Sequence, residues 1–303
     1  MSAVLHNSSP KSEPPLPRRA NADRNNAAIL GDSLTAAQSS WGLWRIAARR
    51  LWRSRQGRIG LVIVCLMILA AIFAPLLAPY SPLELAPRDQ FQAPSWRHPF
   101  GTDEFGRDLL SRVIYGSRVS LIGGGGAVVL AGLLGITLGM TAGYVRGRTE
   151  TILTRFFDLV LAFPAILLAI GAIAVLGRST QSAIIAIGLV NMPAFARLTR
   201  ASVLAEAEKE YVHAVRSLGA NPRHILLRTL LPNVLPPVMV LASIAMASAI
   251  LLEASLSFLG LGTQPPTPSW GNMVSAGRTY LSNAAWYGIF PGAFIVILIL
   301  GLN

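Results

Sequence analysis

The sequence predicts an all-α polytopic membrane protein with six transmembrane helices and a cytoplasmic N-terminus. Three observations carry that prediction. Charged residues make up 13% of the chain and hydrophobic residues 52%, with a mean hydropathy of +0.52, whereas soluble domains carry roughly 25% charge. Six apolar stretches follow one another, most near the roughly 20 residues that a helical span requires. Finally, the basic residues are distributed asymmetrically between alternate loops. With the N-terminus inside, 1–58 holds ten Lys and Arg, 144–155 three and 196–233 six. The outer segments 78–118, 177–181 and 259–283 hold five, one and one. An excess of basic residues on the cytoplasmic side orients membrane spans. It also accounts for the net charge of +12 without a nucleic-acid partner.

Residues 1–40 are rich in Ser, Pro, Asn and Arg and have no apolar run, which predicts a disordered cytoplasmic tail and no cleavable signal peptide. The segment Trp41–Arg58 carries Trp41, Trp44 and Trp52 among arginines, a composition suited to headgroup contact at the cytoplasmic interface. The spans are expected at Ile59–Leu77, Val119–Gly143, Ile152–Leu176, Ser182–Phe195, Val234–Phe258 and Ala284–Leu302. Ala131, Gly135, Gly139 and Gly143 recur at steps of four in the second, so that a neighbouring helix can approach closely. Arg155 and Asp158 lie one turn apart in the third and are expected to pair. Pro164, Pro193 and Pro291 each fall within a span, where a kink is expected. Glu253 lies within the fifth span. A carboxylate there either faces the translocation path or accepts hydrogen bonds from a neighbouring helix.

Two loops exceed the length of a simple connection. In the outer one, Thr102 is expected to cap a helix, with Asp103 and Glu104 in its first turn. Asp103–Arg107 and Asp108–Arg112 would pair across that helix at i, i+4. Leu109, Leu110, Val113 and Ile114 would lay it along the interface. In the cytoplasmic loop, 196–233, Val203, Leu204, Ala207, Tyr211, Ala214, Val215 and Leu218 form one helical stripe. Gly219 ends it. Asn221 and Pro222 open a second helix as N-cap and first residue, expected to stop before Pro232. Arg216, Arg223 and Arg228 give the loop a basic rim.

The loop sequence Glu210-Tyr211-Val212-His213-Ala214-Val215-Arg216-Ser217-Leu218-Gly219-Ala220, followed by Leu231-Pro232-Asn233, resembles the EAA loop of ABC importer permeases. Ala214, Gly219, Leu231 and Pro232 match the family pattern, while His213, Val215 and Thr229 replace its Glu, Ala and Ile. The outer block from His98 through Asp108 to Leu121 is similar to the stretch after the first span in the dipeptide/oligopeptide/nickel permease family, in the second of its two permease types. Glu253–Gly262 and Pro268–Gly271 resemble the same family.

The resemblance implies a type I ABC importer permease fold, with an N-terminal region at 41–118 and a core domain at 119–303. It implies a second permease subunit, two cytoplasmic ATPase subunits docked on the loop through Tyr211, His213, Ala214, Arg216, Gly219, Ala220, Pro222, Leu231 and Pro232, and an external substrate-binding protein. Peptides are the implied substrate, with nickel or another small conjugate as the alternative. Thr102, Asp103, Arg107 and Asp108 would brace the external loop or meet the binding protein. Family members continue into a short cytoplasmic tail beyond a position like Asn303, so a further segment is expected there.

The sequence disfavours other classes. It has no G-x-x-x-x-G-K-[ST] loop, so ATP hydrolysis is expected on partners. It has neither G-x-S-x-G nor H-E-x-x-H. One cysteine, Cys65, and four scattered histidines (His6, His98, His213, His224) predict no metal centre and no cofactor. An ion-coupled carrier would need midplane carboxylates and often an inverted repeat; only Asp158 and Glu253 qualify, and no repeat is present.

Overall fold

The computed structural model describes residues 54–303; the expected tail and most of the Trp41–Arg58 segment lie outside them. Helix α1 (Arg55–Ile72) is extended past a turn at Phe73 by the single-turn α2 (Ala74–Leu77). A long irregular segment then leads to α3 (Leu109–Val145), α4 (Gly147–Leu161), α5 (Ala165–Leu176) and α6 (Thr180–Ala207). Next come α7 (Glu210–Ser217), α8 (Pro222–Phe258, π-helical over Ile225–Leu230), α9 (Trp270–Thr279) and α10 (Trp286–Leu302). No β-strand occurs among the described residues, only an isolated bridge between Thr102 and Asp108.

Helices α1, α3, α6 and α8 are each long and apolar enough to cross a membrane. The third expected span, 152–176, is a broken pair in which α4 and α5 meet at 97°. The cause is local. Pro164 has no N–H to donate and pushes Phe163 out of the helical region, and Pro164 stands as the N-cap of α5. The last expected span is α10, an apolar helix of 17 residues. Pro193 and Pro291 lie inside α6 and α10 without interrupting them.

The small-residue stripe of α3 finds its partner in the same chain. A methyl group at Gly143 would sit 2.9 Å from the Val203 Cβ, and one at Gly139 would strike the Ala196 carbonyl and Thr199. Without side chains at these positions, α3 and α6 lie backbone to backbone. At their crossing, Ala131 and Phe195 join the largest buried cluster, which runs on through Val203, Val212, Ile225 and Leu230 to Val238. Helix α1 is held from the side. Gly60 abuts the Gly301 backbone of α10, and the Arg118 guanidinium donates to the Ala71 and Ile72 carbonyls that the end of α1 leaves unpaired.

Three sequence expectations need correction here. The helix expected over 203–218 is broken at Glu208 and Lys209, between α6 and α7. The second loop helix does not stop before Pro232. Pro232 falls where the π-helical stretch Ile225–Leu230 passes into α-helix, and the helix continues to Phe258. Finally, α3 starts ten residues before Val119, because its first turns bury Leu109 and Val113 against Met273 and Tyr287 rather than against lipid.

Candidate functional site: the 196–233 projection, a buried carboxylate and the 98–108 brace

Residues 98–108 form a buried polar brace rather than a helix. Thr102 caps nothing. Its hydroxyl donates to the Asp89 carbonyl and accepts from the Gln92 amide at 2.8 Å, and its carbonyl accepts from the Trp286 indole at 3.3 Å. The N-cap of α3 is Asp108, which accepts from the Ser111 amide at 2.8 Å and hydroxyl at 2.7 Å. The other Asp108 oxygen lies 3.0 Å from the His98 Nδ1, so the expected Asp108–Arg112 pair does not form. Asp103 does pair with Arg107, at 2.6 Å. The pairing occurs across a turn, not a helix, and the same carboxylate accepts from the Phe105 and Arg107 amides. Arg112 approaches Asp103 at 3.5 Å and donates to the Pro82 carbonyl.

The turn needs left-handed backbone at Gly106 (φ 72°), where a Cβ would collide with the Ala86 carbonyl. Thr102, Asp103, Arg107 and Asp108 are all buried. Asp103 and Arg107 therefore face each other, and Asp108 faces His98 and Ser111, instead of the outside.

Glu253 is 1% exposed. Its carboxylate is turned onto α3, accepting from the Ser257 hydroxyl at 2.8 Å and the Ser120 hydroxyl at 3.4 Å. Gly123 supplies the room: a Cβ there would lie 3.0 Å from the Glu253 Cγ. Ser257 in turn accepts from the Thr263 amide at 3.2 Å. One carboxylate thus links α3, α8 and the loop leading into α9.

The third feature is the 196–233 projection. Val212, Ile225 and Leu230 are buried against Val203 and Tyr144, which seats α7 and the start of α8 on the end of α6. Gly219 turns the chain at φ 80°, and the Asn221 side chain accepts from the His224 amide at 2.8 Å, both as the sequence predicts. What remains outward is a tip of Tyr211, His213, Ala214, Arg216, Leu218, Gly219, Pro222, Arg223 and Leu227. Leu218 is 87% exposed. Ala220 and Leu231 are half-buried beneath it, and Pro232 is exposed at the side.

Tyr211 donates to Glu206 at 2.6 Å and accepts from the Asn233 side chain at 3.2 Å. Desolvation, reinforced by the Glu206 carboxylate, pushes its phenol up from the usual value. The hydrogen bond from Arg146 at 2.6 Å holds the Glu208 carboxyl below the usual carboxylate range.

Three long-range ion pairs at this end were not foreseen from the sequence: Arg146–Glu208, Arg200–Glu150 and Arg197–Asp158. The last replaces the expected Arg155–Asp158 pair. Residues 39 to 62 positions apart meet in them, so no local spacing rule could have found them. Ser120 was missed as well; its one available signal is a hydroxyl in an otherwise apolar helix.

The profile of binding-protein-dependent transport system inner membrane components matches residues 135–303. The chain belongs to this family. The profile of the N-terminal transmembrane domain of oligopeptide transport permease C matches residues 42–94. A dipeptide transport system permease protein DppC of Alkalihalophilus pseudofirmus is 45% identical over 260 residues, covering 86% of each chain. A di/tripeptide transport system permease protein DppC of Pseudomonas aeruginosa is 41% identical over 84% of this chain and 88% of its own. A glutathione transport system permease protein GsiD of Pectobacterium atrosepticum is 38% identical over 86% and 87%.

Among solved structures, an inward-facing form of the MetNI methionine ABC transporter superposes with a TM-score of 0.54 at 20% identity. The match covers 63% of this chain and 91% of that one, a likeness of fold. The chain is accordingly a multi-pass permease subunit of the ABC importer type, resident in the bacterial inner membrane.

Proposed function

We propose that this permease forms half of the translocation path of an ATP-driven importer of dipeptides and oligopeptides. A second permease subunit supplies the other half. Two cytoplasmic ATPase subunits hydrolyse ATP, and an external binding protein delivers the peptide. The observation that carries this reading is the tip of the 196–233 projection. Leu218, Leu227 and Ala214 are exposed on it, and so are the basic Arg216 and Arg223. The turn beneath them is fixed by Gly219 and Asn221 and anchored by Val212 and Ile225.

Exposed leucines on a stiff turn suit a groove on a partner, where one buried apolar anchor carries much of the affinity. The projection runs directly into α6 and α8, so movement of a docked ATPase is transmitted into the membrane by two helices rather than by a flexible loop. Peptide as substrate is supported by relatives named for dipeptides, di/tripeptides and glutathione. The buried positions of Glu253 and the Asp103–Asp108 brace favour structural roles: Glu253 positions α8 on α3, and the brace holds the external segment over the bundle.

Substitution of Leu218→Glu tests the docking role. The expected result is loss of co-purifying ATPase subunits, with affinity down by about tenfold or more, and matching loss of peptide uptake. The chain should remain inserted and as thermally stable as before. Unchanged ATPase association would contradict the reading.

A further inference from the structure

A glutamate and an aspartate of α4 reach across to two arginines of α6. Glu150 accepts from the Nε of Arg200 at 2.9 Å and from its Nη2, and Asp158 accepts from Arg197 at 2.6 Å. Glu150 and Asp158 are eight residues apart on α4, while Arg197 and Arg200 are three apart on α6. Arg146, at the corner between α3 and α4, adds a third pair to Glu208, where α6 gives way to α7. Beside these ionic contacts lies an apolar cluster, Phe157 against Met192 and Ala196 with Leu138 and Leu153 packed on it.

The neighbouring α3–α6 crossing is of another kind, with backbones in contact along Gly135, Gly139 and Gly143. One arm of the broken third span is thus held to a rigid helix pair by part-exposed ion pairs together with the Phe157 cluster. Its other arm departs at 97° across Phe163 and Pro164.

We propose that Glu150–Arg200, Asp158–Arg197 and Arg146–Glu208 form an ionic latch that ties the broken third span to the ATPase-coupled end of α6. When the cytoplasmic projection shifts, the latch carries α4 with it or lets it go, and the third span pivots at Phe163–Pro164. The six side chains are positioning residues. They touch neither substrate nor nucleotide and act by making the pivot follow α6. Half-exposed ion pairs are suited to such a role, since each contributes little to stability and can therefore separate and re-form within a transport cycle. The inference rests on the proposed ATPase coupling and adds a route by which that coupling reaches the path.

The test uses the complete complex, with its partner permease, ATPases and binding protein, in proteoliposomes. The measured quantity is ATP hydrolysed per peptide accumulated. Asp158→Arg and Arg197→Asp, each alone, set like charges against each other. Each is expected to raise the ratio by about threefold to tenfold, the shift that losing a pair and facing a like charge can impose on a two-state element. The exchange variant carrying both substitutions restores an opposite pair and should bring the ratio back towards the original. A purely structural contact would lower expression and uptake together and leave the ratio unchanged. An unaltered ratio in both single variants overturns the latch, and so does an exchange variant that behaves like the sum of the singles. Absence of ATP-driven uptake by the unmodified complex overturns the proposed function and the latch with it.

Discussion

Single side chains in this permease work mainly by satisfying one another. Glu253 and the two serines form such a set, and the chemistry separates two substitutions. Glu253→Gln keeps a carbonyl oxygen that can still accept a hydroxyl. Glu253→Ala leaves the Ser120 and Ser257 hydroxyls without their acceptor, and a buried unsatisfied polar group costs about 1–3 kcal/mol. Thermal unfolding in detergent should place Glu253→Gln near the parent and Glu253→Ala clearly below it. Peptide uptake that collapses in a fully stable Glu253→Gln would instead assign the carboxylate to the path.

Gly106→Ala combines positive φ with a collision at Ala86 and should cost about 1–3 kcal/mol, read in the same assay. The Glu208 carboxyl is held low by Arg146. Its contribution to stability is therefore present above the unfolded carboxylate value of 4.5 and is lost as pH falls through the lower folded value. Glu208→Gln should flatten the acid side of the pH–stability profile, and an unchanged acid limb would remove the pair from the account. Legibility at this scale followed distance along the chain. Gly219 and Asn221 were readable because their partners lie within a few residues. The partners of Asp108 and Asp158 were not, because a carboxylate flanked by several arginines pairs with whichever one the fold delivers.

Helices show the same division between local and tertiary causes. The small-residue stripe of α3 was visible as a pattern, and the fold supplied its partner, α6. Gly139→Val should force the helices apart, since the added carbons meet the Ala196 carbonyl and Thr199. Overpacking typically costs about 1–3 kcal/mol, and here it should also weaken assembly with the partner subunits, as measured by their yield on co-purification. The same substitution at Gly171, where a side chain would meet nothing, should leave that yield unchanged.

Hydropathy located every apolar stretch but misplaced the ends of α3 and α8. Each helix runs on past its apolar segment, α3 beneath α9 and α10 and α8 into the cytoplasmic projection. Pro164 announced a bend. Its size, 97°, no sequence rule supplies.

At the scale of the whole molecule, the 196–233 projection, the α3–α6 pair and the 98–108 brace form a connected line from one end of the bundle to the other. The projection is seated on α6 by Val212 and Ile225, α6 is locked to α3, and α3 is capped by Asp108 beneath the external segment. Such a line suits a permease that passes force from a cytoplasmic motor to an external opening. The fold class and family were legible in composition, charge asymmetry and two motif blocks. The proposed route of force was not, because it depends on which helices touch.

The most direct test of the central claim is uptake of a labelled dipeptide into proteoliposomes containing the complete complex, with ATP supplied and all ion gradients collapsed. The account predicts accumulation that requires ATP and binding protein and disappears with Leu218→Glu. Accumulation that survives ATP depletion and follows an imposed ion gradient would contradict it.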